Sequence, residues 1–297
     1  MSTSKMHAGE ADIDAALVGR LIAEQFPRWA GLPISAVGSM GTVNAIYRVG
    51  DHLCARLPRV EEWVRDLERE WRWLPRLAPG LSLPIPEPVG KGHATDSYPF
   101  PWAIYGWIEG RPYADDLVDD ESQAARDLAR FVAELRRIDP ARGAPRGGRG
   151  PLRELDAPTR EALLSARGVI DGDAAIAAWE RAPEAPAWDG TPVWVHADLL
   201  RPNVLVRDGR LCGVIDFGGV GLGDPAADVI AAWSVFGSAG RRAFREALSV
   251  DDGTWNRARG LALHQAALII PYYGETNPGF VSLARRTVEE ILADVGA

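Results

Sequence analysis

Between residues 13 and 26 the apolar positions Ile13, Leu17, Leu21 and Ile22 repeat at helical spacing and predict an amphipathic helix. Short strand-like runs follow at Ala36–Val37, Ala45–Val49 and His52–Leu57, with Gly50-Asp51 as a hairpin turn between the last two. A helix is expected from about Val60 to Leu77, stopped by Pro79-Gly80. The Pro-rich stretch Leu83–Pro88 then leads to the apolar run Trp102–Ile108, and Glu109-Gly110-Arg111-Pro112 breaks the pattern. Beyond it, apolar residues at 124, 128, 131, 132, 135 and 138 mark a long amphipathic helix over Glu121–Ile138. Residues 139–151 form a Gly/Pro/Arg connector, and strands are expected at Val193–Val195, Val204–Val206 and Leu211–Ile215. From about Ala226 onward the pattern is helical, with Asn277-Pro278 opening the last helix. A strand-rich first third before a helical remainder predicts an α+β chain of two lobes with a cleft between them, divided into 1–108 and 109–297.

Composition narrows the partners. The 297 residues carry 33 Lys+Arg against 41 Asp+Glu, a net charge of −8, and the hydrophobic share of 46% is that of a globular protein. An acidic chain is poorly suited to nucleic acid, whose phosphates demand a basic surface. Apolar runs such as Ala266–Ile270 are far shorter than a membrane span, and the N-terminal MSTSKMHAGEADID has no apolar secretory segment. Cys54 and Cys212 are too few for a zinc site or a disulfide framework. A soluble, cytoplasmic protein with no obligate protein partner is expected. Lys5 and Lys91 are the only lysines among the 33 basic residues, so arginine must do most cationic work.

The densest chemistry lies in VWVHADLLRPNVLVRDGRLCGVIDFGGVGLGDPAAD, residues 193–228. Asp208-Gly209 is a two-residue hairpin signal between alternating strands. In that register Asn203 faces residue 214, and Asp216 is its diagonal neighbour on the same face, roughly 7–8 Å away. Oxygens from that pair suit Mg²⁺, which completes its shell with water and phosphate. Asp198, just after a strand ending at His196, can project toward the same place and take a proton from a substrate hydroxyl. Asp-x4-Asn, a hairpin and then Asp-Phe-Gly is the order used in protein-kinase-type phosphoryl transfer.

This segment resembles the aminoglycoside phosphotransferase family, whose pattern is close to HGDxxxxN…IDFG…GDPxxD. The resemblance implies a protein-kinase-like fold with ATP, or GTP in its place, held between a small β-rich N-terminal lobe and a larger helical lobe. It implies Asp198 as catalytic base, Asn203 and Asp216 as Mg²⁺ ligands, and His196 as an organiser of the loop. Asp224 and Asp228 would tie the loop to the next helix. Ala197 stands where relatives carry Gly, and Gly219 where they often carry an acidic residue.

The same resemblance asks the first lobe for a phosphate-covering loop, a cation and a glutamate to position it. Gly38, Ser39 and Gly41 belong to a short glycine-containing loop whose backbone N–H groups could cover phosphates, although an ordinary hairpin loop reads the same way. In the pattern the resemblance implies, the cation falls on Arg56 in the strand Leu53–Leu57, where an ordinary surface arginine reads the same way; neither lysine sits in a phosphate-loop motif. Trp63, Leu67, Leu74 and Leu77 form a stripe whose missing member is Glu70, a carboxylate that burial would oblige to pair. A stripe shifted to Val64, Leu67, Trp71 and Leu74 would leave Glu70 on the flank. Adenine would bond the backbone near Gly106 and Ile108, with Tyr105 behind it.

The acceptor is expected to be a small molecule. Acidic clusters at Asp115-Asp116, Asp119-Asp120-Glu121 and Asp251-Asp252, with Glu275, would suit a cationic aminoglycoside. They read equally as helix N-terminal charges or solvated faces. A macrolide, an amino sugar or another small metabolite is the alternative acceptor. A nucleotide-binding protein without turnover and a metal-dependent phosphohydrolase are the readings from other classes; five scattered histidines argue against the latter.

Overall fold

The computed structural model describes residues 10–38, 43–182 and 184–296. Ser39 and Gly41 of the expected phosphate loop therefore lie outside the described residues. The chain divides into two compact units. The first comprises residues up to Pro79, Pro84–Glu109 and Val214–Gly218; the second comprises Gly80–Leu83, Gly110–Gly213 and Gly219 to the end.

In the first unit, helix α1 (Ala15–Gln25) starts at Asp14, whose carboxylate accepts from the Leu17 N–H at 2.7 Å. Strands β1 (Ile34–Ala36), β2 (Asn44–Val49) and β3 (Leu53–Pro58) precede α2 (Val64–Leu77), and β4 (Pro88–Gly92) and β5 (Trp102–Gly106) follow it. These strands form an antiparallel sheet in the order β1-β2-β3-β5-β4. The core is the inner face of that sheet (Val49, Ala55, Leu57, Ile104) closed by Leu17, Leu21 and Ile22 of α1 and by Trp102. Burying each such aliphatic side chain stabilises the fold by about 1.5–3 kcal/mol. The β2–β3 turn differs from expectation: Val49 pairs with Leu53, so His52 lies in the turn with Gly50 and Asp51, not in the strand. The helix expected from Val60 begins as a 3₁₀ turn at Glu61–Trp63 before α2.

The second unit is mostly helical. After β6 (Arg111–Pro112) come α3 (Glu121–Arg137), α4 (Asp156–Ser165) and α5 (Gly172–Glu180). Then β7 (Val193–Val195), β8 (Val204–Arg207), β9 (Arg210–Val214) and β10 (Gly221–Gly223) supply short sheets, β6-β8-β9 and β10-β7. Helices α6 (Ala226–Val229), α7 (Ala231–Ser234), α8 (Ser238–Leu248), α9 (Asp252–Tyr273) and α10 (Pro278–Gly296) complete it. Asp208 and Gly209 have φ of 50° and 74°, the left-handed pair that a two-residue hairpin requires between β8 and β9. The last helix starts as expected: Pro278 is its first residue, and the Asn277 side chain accepts from the Phe280 N–H at 3.1 Å. Helix α9 packs against α4, α6 and α10 and is buried on most of its circumference, which explains why no clean stripe marks it.

The connector 139–151 is not a free surface loop. The Gly147 N–H donates to the Leu222 carbonyl at 3.0 Å, and the Leu222 N–H donates to the Pro145 carbonyl at 2.8 Å. The two backbones meet so closely that a Cβ on Gly221 would lie 2.5 Å from the Gly147 nitrogen, and one on Gly147 would lie 2.8 Å from Gly221. Only glycine fits on either side.

Candidate active site

Within the first unit the chemistry centres on Arg56, in β3. Its Nη1 donates to both oxygens of Glu70 at 2.8 Å, and its Nη2 donates to Asp216 Oδ1 at 3.1 Å. Glu70, only 1% exposed in the buried stripe of α2, also accepts from the Tyr105 hydroxyl at 3.1 Å and from the Phe217 N–H at 2.8 Å. The flank alternative for Glu70 is thereby excluded. Burial opposes the charge of Arg56, but Glu70 and Asp216 outweigh it and push its pKa still higher, so the guanidinium stays charged. Burial pushes the Glu70 carboxyl up while Arg56 opposes; a carboxylate receiving this many donors acts as an acceptor. Burial first, and Glu70 second, raise the Tyr105 phenol well above its ordinary range and keep it a donor. Asp216 sits at φ 67° with its side chain 40% exposed. Burial lifts the Cys54 thiol to about 11, which makes it inert.

The Gly106 N–H, expected near adenine, donates instead to the Glu87 carbonyl at 2.9 Å, and the Trp107 N–H donates to the His52 carbonyl at 2.8 Å. Ile108 follows in the segment after β5. Gly38 is exposed at the edge of the phosphate loop, with open space where a side chain would project.

The second unit holds the loop that carries His196 and Asp198. Asp228, fully buried, accepts from the N–H groups of His196 (3.0 Å) and Ala197 (2.8 Å). Burial raises its pKa, and His196 with those two N–H donors opposes the rise. His196 Nδ1 accepts from the Asp198 N–H at 3.2 Å, so the loop is tied at three successive residues. Ala197 has φ 70°, which accounts for the glycine that relatives carry there.

The Asp198 carboxylate is oriented by two amides. Asn203 Nδ2 donates to its Oδ2 and to its backbone carbonyl, both at 2.9 Å, and Gln265 Nε2 donates to its Oδ1 at 2.6 Å. Gln265 comes from α9, 67 residues downstream, and no motif announces it. Asp224 is held by Arg257 of the same helix at 2.8 and 3.1 Å.

Each unit keeps one free oxygen of the kind that suits a hard cation. With Nδ2 of Asn203 committed to Asp198, its Oδ1 remains as a carbonyl-type ligand, and Asp216 retains an oxygen not bonded to Arg56. Among the described residues no group of three or more His, Cys, Asp or Glu could hold a metal by itself.

The acidic clusters are mostly committed elsewhere. Asp115 pairs with Arg201 at 2.6 Å, Asp120 and Asp251 cap α3 and α9, and Asp252 pairs with Arg245. Glu121 accepts from the N–H groups of Gly237 and Gly240 at 2.6 and 2.9 Å. On either side of Gln265 lies a crevice: Leu200, Ala262, Ile269, Phe280 and Leu283 line one, and Arg149, Ala197, Ile230 and Leu261 the other.

A β-sheet unit with an Arg–Glu pair and an Asp-Phe-Gly turn, and a helical unit carrying His-x-Asp-x4-Asn, define a kinase-like phosphotransferase fold. The sequence model of the phosphotransferase enzyme family matches residues 37–263, and the chain belongs to that family. It is similar to viomycin phosphotransferase of Streptomyces vinaceus, 33% identical over 171 residues, 53% of this chain and 58% of that protein. It is also similar to an uncharacterised protein of Bacillus subtilis, 25% identical over 201 residues, 61% of this chain and 62% of that protein. The chain thus aligns with about three fifths of the length of each of these curated relatives. Among solved structures, an aminoglycoside 2′-phosphotransferase-IIIa mutant in complex with GDP superposes with a TM-score of 0.75 at 21% identity, covering 96% of this chain and 99% of that one. A macrolide 2′-phosphotransferase from Brachybacterium faecium superposes with a TM-score of 0.59 at 22% identity, covering 92% and 97%. At these identities the structures establish the shared fold.

Proposed function

We propose that the protein is an ATP- and Mg²⁺-dependent O-phosphotransferase that moves the γ-phosphoryl group to a hydroxyl of a small molecule. The observation that carries this reading is Asp198, a carboxylate fixed by two amides on a loop tied at three successive residues. Asp198 accepts the acceptor's hydroxyl proton as the oxygen bonds to the γ-phosphorus and the bond to ADP breaks. Positioned general-base catalysis of this kind contributes about 10²–10⁴-fold. Arg56, set by Glu70, grips phosphate oxygens, and Asn203 and Asp216 each offer an oxygen to Mg²⁺. The metal, when bound, neutralises charge on the phosphates. Residues 1–108 form the nucleotide-binding part, with Gly38, Ser39 and Gly41 over the phosphates and the backbone of Gly106 and Ile108 toward adenine. Because the Gly106 N–H is committed, its carbonyl and the Ile108 backbone are the groups left for the base. Residues 109–297 form the catalytic and acceptor-binding part. Related structures hold GDP, ADP and ATP, so GTP is the alternative donor. No helix among the described residues is long and apolar enough to cross a membrane, and we place the reaction in the cytoplasm, where ATP is supplied.

An aminoglycoside-type antibiotic is the acceptor that the structural neighbours suggest. A second reading, an acceptor with an apolar body such as a macrolide, is favoured by the apolar crevice beside Gln265 and by the structural use of the acidic clusters. The test is ADP release from ATP over a panel of aminoglycosides, macrolides, amino sugars and small amino alcohols, with Asp198→Ala and Asp216→Asn as controls. Acceptor-dependent release that both substitutions abolish supports the reading. Release unchanged in Asp216→Asn would overturn the metal assignment, and ATP binding with no transfer would indicate a protein without turnover.

A further inference from the structure

Arg149 closes the loop 139–151 and lines the crevice that contains Gln265, the residue holding Asp198, together with Gly148, Ala227, Ile230 and Leu261. It makes no hydrogen bond and no ion pair with any described residue, whereas Arg56, Arg201, Arg241 and Arg257 pair with carboxylates and half-buried Arg136 donates to the Pro225 carbonyl. The residue as a whole is exposed, yet surrounding protein depresses the pKa of its guanidinium, and the opposing charge that acts on it is Asp198. A group both reached by water and hemmed in by protein lines a concavity. Nothing in the loop allows Arg149 to retreat easily, because Pro145 and Gly147 each share a backbone hydrogen bond with Leu222 of β10 and Gly147 is in backbone contact with Gly221. The other titratable side chain of this neighbourhood, His264, is held neutral with a pKa of about 4 by burial and then by Arg149, and its Nδ1 is bonded to the Thr159 hydroxyl.

We propose that Arg149 is the specificity-determining residue of the acceptor site. It selects a molecule that presents an oxygen acceptor, a carboxylate above all, near the hydroxyl to be phosphorylated, and it disfavours an ammonium group there. The inference rests on the phosphotransferase reading and deepens it. Five donors in a planar fork match carboxylate geometry, whereas a cation brought beside an unpaired guanidinium is repelled in a site walled by Ala227, Ile230 and Leu261. Ring or chain compounds whose other substituents are apolar would use those walls.

The test uses hydroxyl compounds matched in skeleton that differ in one terminal substituent: glucuronate, glucose and 6-amino-6-deoxyglucose, and glycerate, glycerol and 3-amino-1,2-propanediol. Binding to the full chain with ATP analogue and Mg²⁺ is measured by calorimetry, and turnover by ADP release. The expected result is that the carboxylate member exceeds the amine by tenfold or more in affinity or kcat/KM. Arg149→Glu should invert that order, and Arg149→Met should flatten it. An amine that binds as well as its carboxylate counterpart, an order unchanged in Arg149→Glu, or a panel in which charge makes no difference would overturn the proposal. Failure of the kinase reading shows separately, as ATP turnover that is absent or that survives Asp198→Ala.

Discussion

The two units arrange their polar groups by opposite means. In the first, ions hold ions: Arg56 lies between Glu70 and Asp216, with Tyr105 and the Phe217 N–H completing the glutamate's shell. In the second, the carboxylate that matters is held by neutral amides, Asn203 and Gln265. On the phosphotransferase reading proposed above, the difference follows from what each carboxylate would do. Glu70 would have to remain charged to place a cation against phosphates, and an arginine in contact secures that. Asp198 would have to accept a proton, and a guanidinium in contact would lower a carboxylate's pKa by about 1–3 units. Amides orient it at less cost to its basicity.

The comparison breaks most visibly at Glu70. Glu70→Ala leaves Arg56 buried with only Asp216 as partner and should destabilise the protein by about 3–5 kcal/mol. Urea unfolding measures the loss, and a change below about 1 kcal/mol would show that the ionic network is not structural. Glu70→Gln should retain part of the stability while raising KM for ATP.

On the neutral side, His264 gives a pH-dependent counterpart. Its folded pKa of about 4 lies below the ordinary 6.5, so the unfolded chain binds the proton first. Its contribution to stability is complete above pH 6.5 and declines as pH falls toward 4, with a slope of at most about 1.4 kcal/mol per pH unit. His264→Gln should flatten that part of the urea-midpoint profile between pH 6.5 and 4; an unchanged slope would assign the acid sensitivity elsewhere.

A smaller effect separates positioning from bulk structure. Gln265→Leu removes a donor from ionised Asp198 and should lower kcat about tenfold, equivalent to about 1.4 kcal/mol, with KM for ATP little changed. Losing that donor raises the carboxylate's pKa, so the acid limb of the kcat profile should move to higher pH. A folding defect alone would leave the limb in place, and Gln265→Asn should not restore it because the shorter side chain falls short. The smallest change is Ala197→Gly. Relief of a left-handed alanine, offset by chain entropy, should leave stability within about 1 kcal/mol of the parent or above it. Clear destabilisation in thermal unfolding would mean that the Ala197 methyl packs usefully.

What could be read from the sequence was local. The gap in the stripe of α2 located Glu70, Asp208-Gly209 located the hairpin, and Asn277-Pro278 located the start of α10, since each rests on residues a few positions apart. Arg56 required more, because its partners lie 14 and 160 positions away; the lysine shortage and a family resemblance supplied what periodicity did not. Gln265 was invisible for a physical reason. Helix α9 is buried nearly all round, so a polar residue on it stands out only when the helix is seen beside the catalytic loop. Arg149 was hidden differently, within a Gly/Pro/Arg composition that reads as solvent-facing connector. The assignment of Val214–Gly218 to the first unit is also a matter of contacts, such as the Val214 N–H bonded to the Pro84 carbonyl at 3.0 Å.

The backbone contact between Gly147 and Gly221 has a consequence for how the protein can change over generations. On the role proposed for Arg149, two positions 74 residues apart must both stay side-chain-free for it to keep its place, and each would bear on acceptor choice. A methyl on Gly147 would press on the backbone of Gly221 and displace the arginine's loop, whereas one on Gly221 would also strain β10 where it pairs with Val195, three residues before Asp198. A lineage could therefore trade one acceptor for another by a mutation at Gly147, outside the residues proposed to transfer the phosphoryl group.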